Sequence, residues 1–284
     1  MIFLRNFRLL NEDKEWHLLV GGEKKNIYNN IYPFKIFPNK ELTDLSFDNI
    51  TIFYGNNGSG KTTLLNIISE KINAVRKTDI EFGRYFEMYV EALDDADISE
   101  FNIPDEIKFI SSNDIFDYLL DVQAINNNVN RKKDELAAEY MNYKYNDSSN
   151  FYNDLEALKK KNKANSQTIS KYIRSNLGNN NIISQSNGET ALSFFHREIK
   201  ENSIYILDEP ENSLSPSNQI KLKKFIEESV RFFNCQFIIS THSPFLLALN
   251  NAKIYDLDVV PAKSKDFLEL ENIKEYIKLF KPYL

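Results

Sequence analysis

Residues 55–62 read Gly-Asn-Asn-Gly-Ser-Gly-Lys-Thr, which matches the pattern G-x-x-x-x-G-K-[ST] of a phosphate-binding P-loop. An apolar run with strand character, residues 50–54, precedes the motif, and a helix-like run that begins at Thr63 follows it. The motif is meaningful only between a strand and a helix, and this sequence supplies both. The stretch therefore predicts a site for nucleotide phosphates.

The chemistry of this loop follows from its backbone. Glycines allow tight folding, so that successive backbone N–H groups point at anionic oxygens, and the N-terminus of the next helix adds partial positive charge. Lys61 can reach the β- and γ-phosphates, and the hydroxyl of Thr62 can ligate Mg²⁺. The residues expected to bind the nucleotide here are Gly55, Asn56, Asn57, Gly58, Ser59, Gly60, Lys61, Thr62 and Thr63.

The bulk properties are those of an ordinary globular protein. The chain has 284 residues, of which 42% are hydrophobic and 27% charged, enough for one large α/β domain. Its net charge of −6 argues against a general attraction to nucleic acid but leaves a local basic patch open. A single cysteine, Cys235, excludes an intramolecular disulfide and a cysteine-rich zinc site. Without a signal peptide or a membrane-length apolar run, we expect a soluble, cytoplasmic protein.

The pattern of apolar residues predicts one domain made of three consecutive segments. Residues 1–113 form an N-terminal lobe with the P-loop. Residues 114–183 are rich in Lys, Asn and Glu, lack Gly and Pro until Gly178, and are predicted to be a helical insertion. Residues 184–284 return to α/β order as a C-terminal lobe.

Several short runs in the first lobe resemble strands, namely residues 3–10, 17–20, 32–37 and 85–93. Trp16, the only tryptophan, is expected to pack among them, with stacking on an adenine ring as the alternative. In the second lobe, residues 203–207 and 235–240 are continuous apolar runs, which are typical of parallel strands buried on both faces.

Two acids, Asp208 and Glu209, end the first of these buried strands. Burying adjacent carboxylates costs free energy unless a cation or a reacting group accounts for them. We expect Asp208 to hold Mg²⁺, directly or through water, and Glu209 to polarise the water that attacks a γ-phosphate. The alternative, a pair of solvated acids that begin the next helix, is disfavoured by the P-loop upstream.

Two further motifs narrow the class of P-loop protein to which the sequence is compared. Ser186-Asn187-Gly188-Glu189 precedes a predicted helix, and Ser240-Thr241-His242-Ser243-Pro244 follows a predicted strand. With them, the sequence resembles the ABC-type ATPases, especially their SMC/RecF-like branch, over residues 50–68 and 184–250. In that class a Ser-x-Gly-Gln/Glu signature precedes the acidic strand end and a histidine ends the following strand. Residues 211–216 stand where the family has its D-loop.

The resemblance implies a P-loop NTPase fold, with an ABC-ATPase-like mixed sheet core, an antiparallel β subdomain and an inserted helical subdomain. It also implies a head-to-tail homodimer that sandwiches ATP, in which Ser186, Gly188 and Glu189 of one subunit bind the γ-phosphate held by the other. His242 would contact the γ-phosphate and join Glu209 and Lys61 as catalytic residues. A purely structural strand-end histidine is the alternative for His242.

The sequence also departs from the family. Asn187 replaces the glycine of transporter ATPases, and Gln185 replaces an apolar residue, which favours the non-transport branch. No clear glutamine marks the Q-loop, where Asn113 or Asp114 could serve as the Mg²⁺ ligand instead. A zinc-hook motif and long coiled-coil arms are absent from the sequence, so a cohesin-like clamp is not expected.

Three functions are compatible with these motifs. The favoured one is an ABC-type ATPase that drives a partner such as a nuclease or toxin, resembling the compact ATPases of Septu-type and retron-associated antiphage defence. Nucleic acid remains open as a partner, and the basic run at residues 159–163 is either a solvated helix face or a contact to it. The alternatives are the ATPase of a membrane transporter and a nucleotide-gated scaffold with little turnover, against which Glu209 argues. ATP rather than GTP follows from the resemblance alone.

Overall fold

A computed structural model describes residues 2–21, 31–77, 82–145, 155–177, 187–212 and 214–283. The chain divides into two compact units: a sheet unit, Met1–Phe116 with Asn187–Leu284, and a helical unit, Asp117–Ser186. The helices are α1 (Glu12–Gly21), α2 (Lys61–Lys71), α3 (Arg84–Glu91), α4 (Ser112–Tyr145), α5 (Leu155–Ser166), α6 (Ile169–Leu177), α7 (Asn187–Glu198), α8 (Pro216–Phe232), α9 (Pro244–Leu247) and α10 (Glu271–Phe280).

The strands are β1 (Asn6–Arg8), β2 (Asp44–Ser46), β3 (Ile50–Tyr54), β4 (Val75–Arg76), β5 (Ile98–Ser99), β6 (Glu106–Ser111), β7 (Ser203–Asp208), β8 (Gln236–Ser240), β9 (Lys253–Asp256) and β10 (Lys263–Lys265). They form a seven-stranded sheet in the order β10-β9-β3-β8-β7-β6-β4 and a three-stranded sheet in the order β2-β1-β5. The large sheet is parallel except for β10, and the small sheet is antiparallel. The predicted mixed core and antiparallel sheet are thereby confirmed.

The three central strands of the large sheet are almost entirely apolar and buried. Every residue of β3 and β8 is buried, and so is β7 up to Asp208. Such runs suit parallel strands with helices on both faces, where each fully buried Ile, Leu or Phe stabilises the fold by about 1.5–3 kcal/mol. Their burial holds together the part of the sheet on which the candidate site lies.

The register of these strands brings distant residues to one edge. Asp208 of β7 lies opposite Ser240 of β8 and Ser111 of β6, and Phe53 of β3 also lies opposite Ser240. Because the carboxyl ends of parallel strands meet at the same edge, the P-loop that follows β3 lies beside these polar residues.

The helical unit has a small core of its own. Leu136, Tyr140, Ala164 and Tyr172 pack together, and the Tyr140 hydroxyl donates a hydrogen bond to the Gln167 carbonyl at 3.0 Å. Most of α4 (Ser112–Tyr145) belongs to this unit, together with α5 and α6. No helix among the described residues is long and apolar enough to span a membrane.

Three strand predictions in the first lobe are wrong. Residues 17–20 lie in helix α1, residues 32–37 form turns, and residues 85–93 largely form helix α3. In α3 the two buried residues, Phe86 and Tyr89, are spaced as on one face of a helix. An apolar, aromatic-rich run of this length is ambiguous until its packing partner is known.

The expected packing of Trp16 is also wrong. Helix α1 turns the preceding residue, Glu15, toward the protein interior instead. Trp16 is 61% exposed, whereas Glu15 is 2% exposed and accepts a hydrogen bond from the Lys35 backbone N–H at 2.6 Å. The second oxygen of Glu15, Oε1, is buried without a hydrogen-bond partner among the described residues. Burial raises the pKa of Glu15 to about 7.

This buried acid predicts a pH-dependent stability. A carboxyl whose pKa is raised from 4.5 to about 7 on folding binds more protons in the folded state, so its stabilising effect is lost as the pH rises through that window. We expect Glu15→Gln, which mimics the neutral acid, to be more stable than wild type at pH 8 by up to about 3 kcal/mol, with a much smaller difference at pH 4.5. Urea unfolding at both pH values measures this, and an equal difference at both would contradict it.

Candidate functional site

The P-loop is held in a conformation that requires its glycines. Gly60 precedes α2 with a φ of +94°, in the left-handed region, and a Cβ there would lie 3.1 Å from Ile36 Cγ2. At Gly55 the backbone comes so close to Ser59 that a Cβ would lie 2.5 Å from the Ser59 hydroxyl oxygen. The loop therefore folds tightly after β3 and ends at the first turn of α2, as the motif predicts.

Lys61 lies buried across the base of this loop. Its side chain is 4% exposed, and its Nζ donates hydrogen bonds to the carbonyl oxygens of Gly55 at 2.8 Å and Asn56 at 3.2 Å. The ammonium group thus closes the loop on itself. It remains within 3.7 Å of Glu209 Oε1, which belongs to the turn after β7.

The other residues predicted at the loop fall into two groups. Asn56, Asn57, Gly58 and Thr62 are exposed, whereas Ser59 and Thr63 are buried. The Thr63 hydroxyl accepts a hydrogen bond from the Tyr32 hydroxyl at 3.0 Å. Thr63 therefore contacts the segment before the small sheet's β2.

The side-chain oxygens of Thr62 and Asp208, the predicted Mg²⁺ ligands, form a hydrogen-bonded pair. The Thr62 hydroxyl donates to Asp208 Oδ1 at 3.2 Å, and the Ser240 hydroxyl donates to the same oxygen. Burial raises the pKa of the Asp208 carboxyl, and the two hydroxyl donors oppose this shift. A half-buried carboxylate beside a hydroxyl is a fitting site for a divalent cation, whose charge would compensate the partial burial.

Carboxylate and hydroxyl oxygens are of the ligand type that Mg²⁺ takes in proteins. The described residues contain no group of three or more His, Cys, Asp or Glu side chains that could hold a metal. Mg²⁺ is commonly bound by one or two protein oxygens, with phosphates and water completing its ligands. Thr62 and Asp208 fit this pattern, and their role as ligands of a nucleotide-bound Mg²⁺ stays a prediction.

The three predicted catalytic residues meet at one oxygen atom. Glu209 Oε1 lies 3.7 Å from Lys61 Nζ and 3.7 Å from His242 Nδ1. The other oxygen, Oε2, accepts a hydrogen bond from the Asn212 side chain at 3.0 Å. The carboxylate of Glu209 is thus oriented by a neighbour on one side and faces two basic groups on the other.

Glu209 reaches this position through a left-handed backbone. Its φ is +48°, and its N–H donates to the Ser240 carbonyl at 3.0 Å and the Ser240 hydroxyl at 3.1 Å. A non-glycine residue in this region costs of order 1 kcal/mol or more. The turn after β7 thereby redirects the second acid away from the line of the strand.

At the predicted Q-loop position, the two candidates differ. Asp114 is buried, and its Oδ2 accepts hydrogen bonds from the Ser111 N–H and hydroxyl, both at 2.8 Å. It therefore stabilises the start of α4. Asn113 is exposed at the same helix start, and its role as a Mg²⁺ ligand stays a prediction.

The signature residues lie partly outside the described residues. Ser186 and Gln185 are among those outside, while Gly188 and Glu189 lie in the first turn of α7. The side chain of Glu189 is exposed. Their role as ligands of a partner's γ-phosphate stays a prediction.

One residue at the loop, Asp258, was missed by the sequence analysis. Its two carboxylate oxygens accept from the Asn56 N–H at 3.0 and 2.9 Å. Its own N–H donates to Asp256 Oδ1 at 2.9 Å, and Lys265 Nζ lies 2.7 Å from the other oxygen of Asp256. The only sequence signal is a pair of acids, Asp256 and Asp258, in a short apolar stretch, which gains meaning once β9 is known to pair with β3.

Residues 121–247 match the AAA ATPase domain family. The matched range includes Asp208, Glu209 and His242, and the P-loop precedes it. No curated protein sequence matches the chain.

Among solved structures, the chain resembles an SMC head domain from Pyrococcus furiosus, with an extended coiled coil, bound to the C-terminal domain of ScpA. The identity is 15%, with 83% of this chain and 95% of that chain covered and a TM-score of 0.37. It also resembles a protein described as a metal-chelate type ABC transporter in an inward-facing conformation, at 13% identity, 99% and 90% coverage and a TM-score of 0.34. The family match and the order of the motifs confirm the predicted resemblance to SMC/RecF-like, ABC-type P-loop ATPases.

We expect Asp258→Ala to weaken nucleotide binding about tenfold, because losing a charged acceptor for the Asn56 N–H would loosen the loop. Asp258→Asn keeps an acceptor oxygen and is expected to bind within about threefold of wild type. Titration of a fluorescent ATP analogue measures both affinities. Equal affinities for wild type and Asp258→Ala would show that the loop does not depend on this contact.

Proposed function

We propose that this chain is an ABC-type ATPase that binds Mg·ATP and hydrolyses it to ADP and phosphate. The observation that carries the proposal is the meeting of Lys61 and His242 at Glu209 Oε1, beside the Thr62–Asp208 oxygen pair. A phosphate loop, two cation ligands and an oriented acid are the parts that nucleotide hydrolysis requires. The P-loop and Thr62 follow β3, Asp208 and Glu209 lie at the end of β7, and His242 follows β8, all at the same edge of the sheet.

Binding of the triphosphate is assigned to the P-loop. Its backbone N–H groups and the N-terminus of α2 would bind the phosphate oxygens, and Lys61 would contact the β- and γ-phosphates. Thr62 and Asp208 would hold Mg²⁺, with Asn113 as the candidate third ligand. When bound, the cation would neutralise charge on the phosphates.

Glu209 is assigned as the general base. Its carboxylate would accept a proton from water as the water oxygen bonds to the γ-phosphorus and the bond from that phosphorus to the ADP oxygen breaks. The Asn212 contact and the left-handed backbone orient this carboxylate. His242, about half exposed beside it, would hydrogen-bond the γ-phosphate.

We further propose a head-to-tail homodimer that closes on ATP and opens on hydrolysis. In it, Ser186, Gly188 and Glu189 of one subunit would bind the γ-phosphate in the other. The resemblance to ABC-type ATPases supports this arrangement, and so does the position of Gly188 and Glu189 in the first turn of α7, since a helix N-terminus favours anions.

The biological role rests on the resemblance alone. We propose that the ATPase drives or gates an effector such as a nuclease or toxin, in antiphage defence or nucleic-acid processing. Fold does not determine such a role. Co-expression with the proteins encoded beside it, followed by co-purification with and without ATP, would identify the partner, and recovery of a membrane permease would refute this assignment.

We expect Glu209→Gln to lower the rate of ATP hydrolysis at least about 100-fold, because the general base is lost. ATP affinity should change little, since the P-loop and cation ligands are intact. Steady-state phosphate release and analogue binding measure the two effects, with Glu228→Gln on the exposed face of α8 as the matched control. A Glu209→Gln variant as fast as wild type would favour the nucleotide-gated scaffold.

In the Glu209→Gln protein, Mg·ATP is expected to double the mass measured by light scattering. Adding Ser186→Arg should keep that protein monomeric with ATP bound, because the bulky side chain would block the partner's γ-phosphate. Ser170→Arg, on the exposed face of α6, is the control and should still dimerise. A protein that stays monomeric without the Ser186 change would indicate that a different subunit completes the site.

A further inference from the structure

Glu211 is a buried acid that no part of the proposed chemistry uses. It follows the turn after β7 and is 5% exposed. Its Oε1 accepts a hydrogen bond from the Thr241 hydroxyl at 2.5 Å and another from the His242 backbone N–H at 3.2 Å. The carboxyl group therefore joins the turn that carries Glu209 to the loop that carries His242.

The other oxygen of this carboxyl group makes its burial costly. Oε2 of Glu211 is buried without a hydrogen-bond partner among the described residues. A buried polar atom without a partner costs about 1–3 kcal/mol. Burial raises the pKa of the group, and the Thr241 and His242 donors oppose that shift. An apolar side chain would fill the same volume without this penalty, so the carboxyl group is not explained by packing.

The contacts of Glu211 continue into the loop after β8. Thr241 Oγ1 accepts from the Ser243 N–H at 3.0 Å, and the Ser243 hydroxyl donates to Gln219 of α8 at 2.6 Å. On the other side, the Asn212 N–H donates to the Glu209 carbonyl at 3.3 Å, and the Leu214 N–H donates to the Glu211 carbonyl at 2.9 Å. Both ends of the connection are thus fixed by hydrogen bonds.

We propose that Glu211 is a positioning residue, whose carboxyl group holds the His242 loop so that the imidazole stays next to the Glu209 carboxylate. The 3.7 Å separation of His242 Nδ1 and Glu209 Oε1 depends on two loops that follow different strands. Register pairing fixes those strands only up to Asp208 and Ser240. Beyond these residues, Glu211 joins one loop to the other. The inference rests on the proposed ATPase function and deepens it.

A double-mutant cycle with His242 tests this role. Glu211→Ala is expected to lower kcat at least about tenfold with KM within about twofold of wild type, because the P-loop is untouched. In a His242→Ala background, adding Glu211→Ala should change kcat by less than about twofold, since the residue acts through His242. Glu211→Gln retains a carbonyl oxygen that can accept from Thr241 and His242, and its kcat should remain within about threefold of wild type.

Glu227→Ala is the matched control. Glu227 likewise accepts a backbone N–H across elements, from Asn250 at 2.9 Å, but it lies on α8 and contacts no predicted catalytic residue through that bond. Its kcat should match wild type. Thermal unfolding of every variant accompanies the kinetics. If Glu211→Ala does not fold, Thr241→Val replaces it in the cycle. This variant removes one of the two donors to Glu211 Oε1, and the same changes in kcat and KM are expected.

Two results would overturn the proposal: an equal loss from Glu211→Ala with and without His242, or a Glu211→Gln variant as slow as Glu211→Ala. Failure of the proposed ATPase function is distinct from failure of the Glu211 proposal and would be seen before the double-mutant cycle is measured. It would appear as a wild-type protein whose phosphate release is no faster than that of Glu209→Gln. With that activity present, the cycle reports on Glu211 alone.

Discussion

The candidate site depends on the parallel pairing of β3, β8 and β7. Buried apolar side chains hold these strands together. Because their carboxyl ends lie at one edge of the sheet, the strands also bring polar residues together at that edge. A shift of register by one residue would turn Asp208 to the opposite face and separate it from Thr62 and Ser240. The chemistry at the edge is therefore specified by hydrophobic burial within the sheet.

The same edge collects carboxyl groups that burial disfavours. Burial raises the pKa of both Asp208 and Glu211. The hydroxyls of Thr62 and Ser240 partly compensate Asp208, and the Thr241 hydroxyl and His242 N–H partly compensate Glu211. A bound cation would compensate the rest of the burial cost of the Asp208 charge. Among the described residues, Glu211 has hydrogen-bond donors at only one of its two carboxylate oxygens. Each such group adds to the free-energy cost of folding, which makes this edge of the sheet a candidate functional site.

The sequence predicted the parts of the site that are local in the chain. The P-loop, the acidic strand end and His242 are short motifs whose residue types reveal their chemistry, and three central strands followed from continuous apolar runs. Asp258 and Glu211 could not be predicted, because their roles arise only where β9 meets β3 and where one strand-end loop meets another. The helix at Arg84–Glu91 was mistaken for a strand because its aromatic-rich run is compatible with both periods until Phe86 and Tyr89 are seen to face one core.

The hydrogen bonds that hold the P-loop also bear on how fast a nucleotide can bind. Lys61 donates hydrogen bonds to the carbonyl oxygens of Gly55 and Asn56, and Asp258 accepts one from the Asn56 N–H. These contacts within the protein hold the loop backbone in place. Ordering a free backbone costs about 1–2 kcal/mol per residue in conformational entropy, and a loop that is already ordered does not incur this cost again on binding. Capture of the triphosphate should then be governed by diffusional encounter, without a slow rearrangement of the cradle after contact.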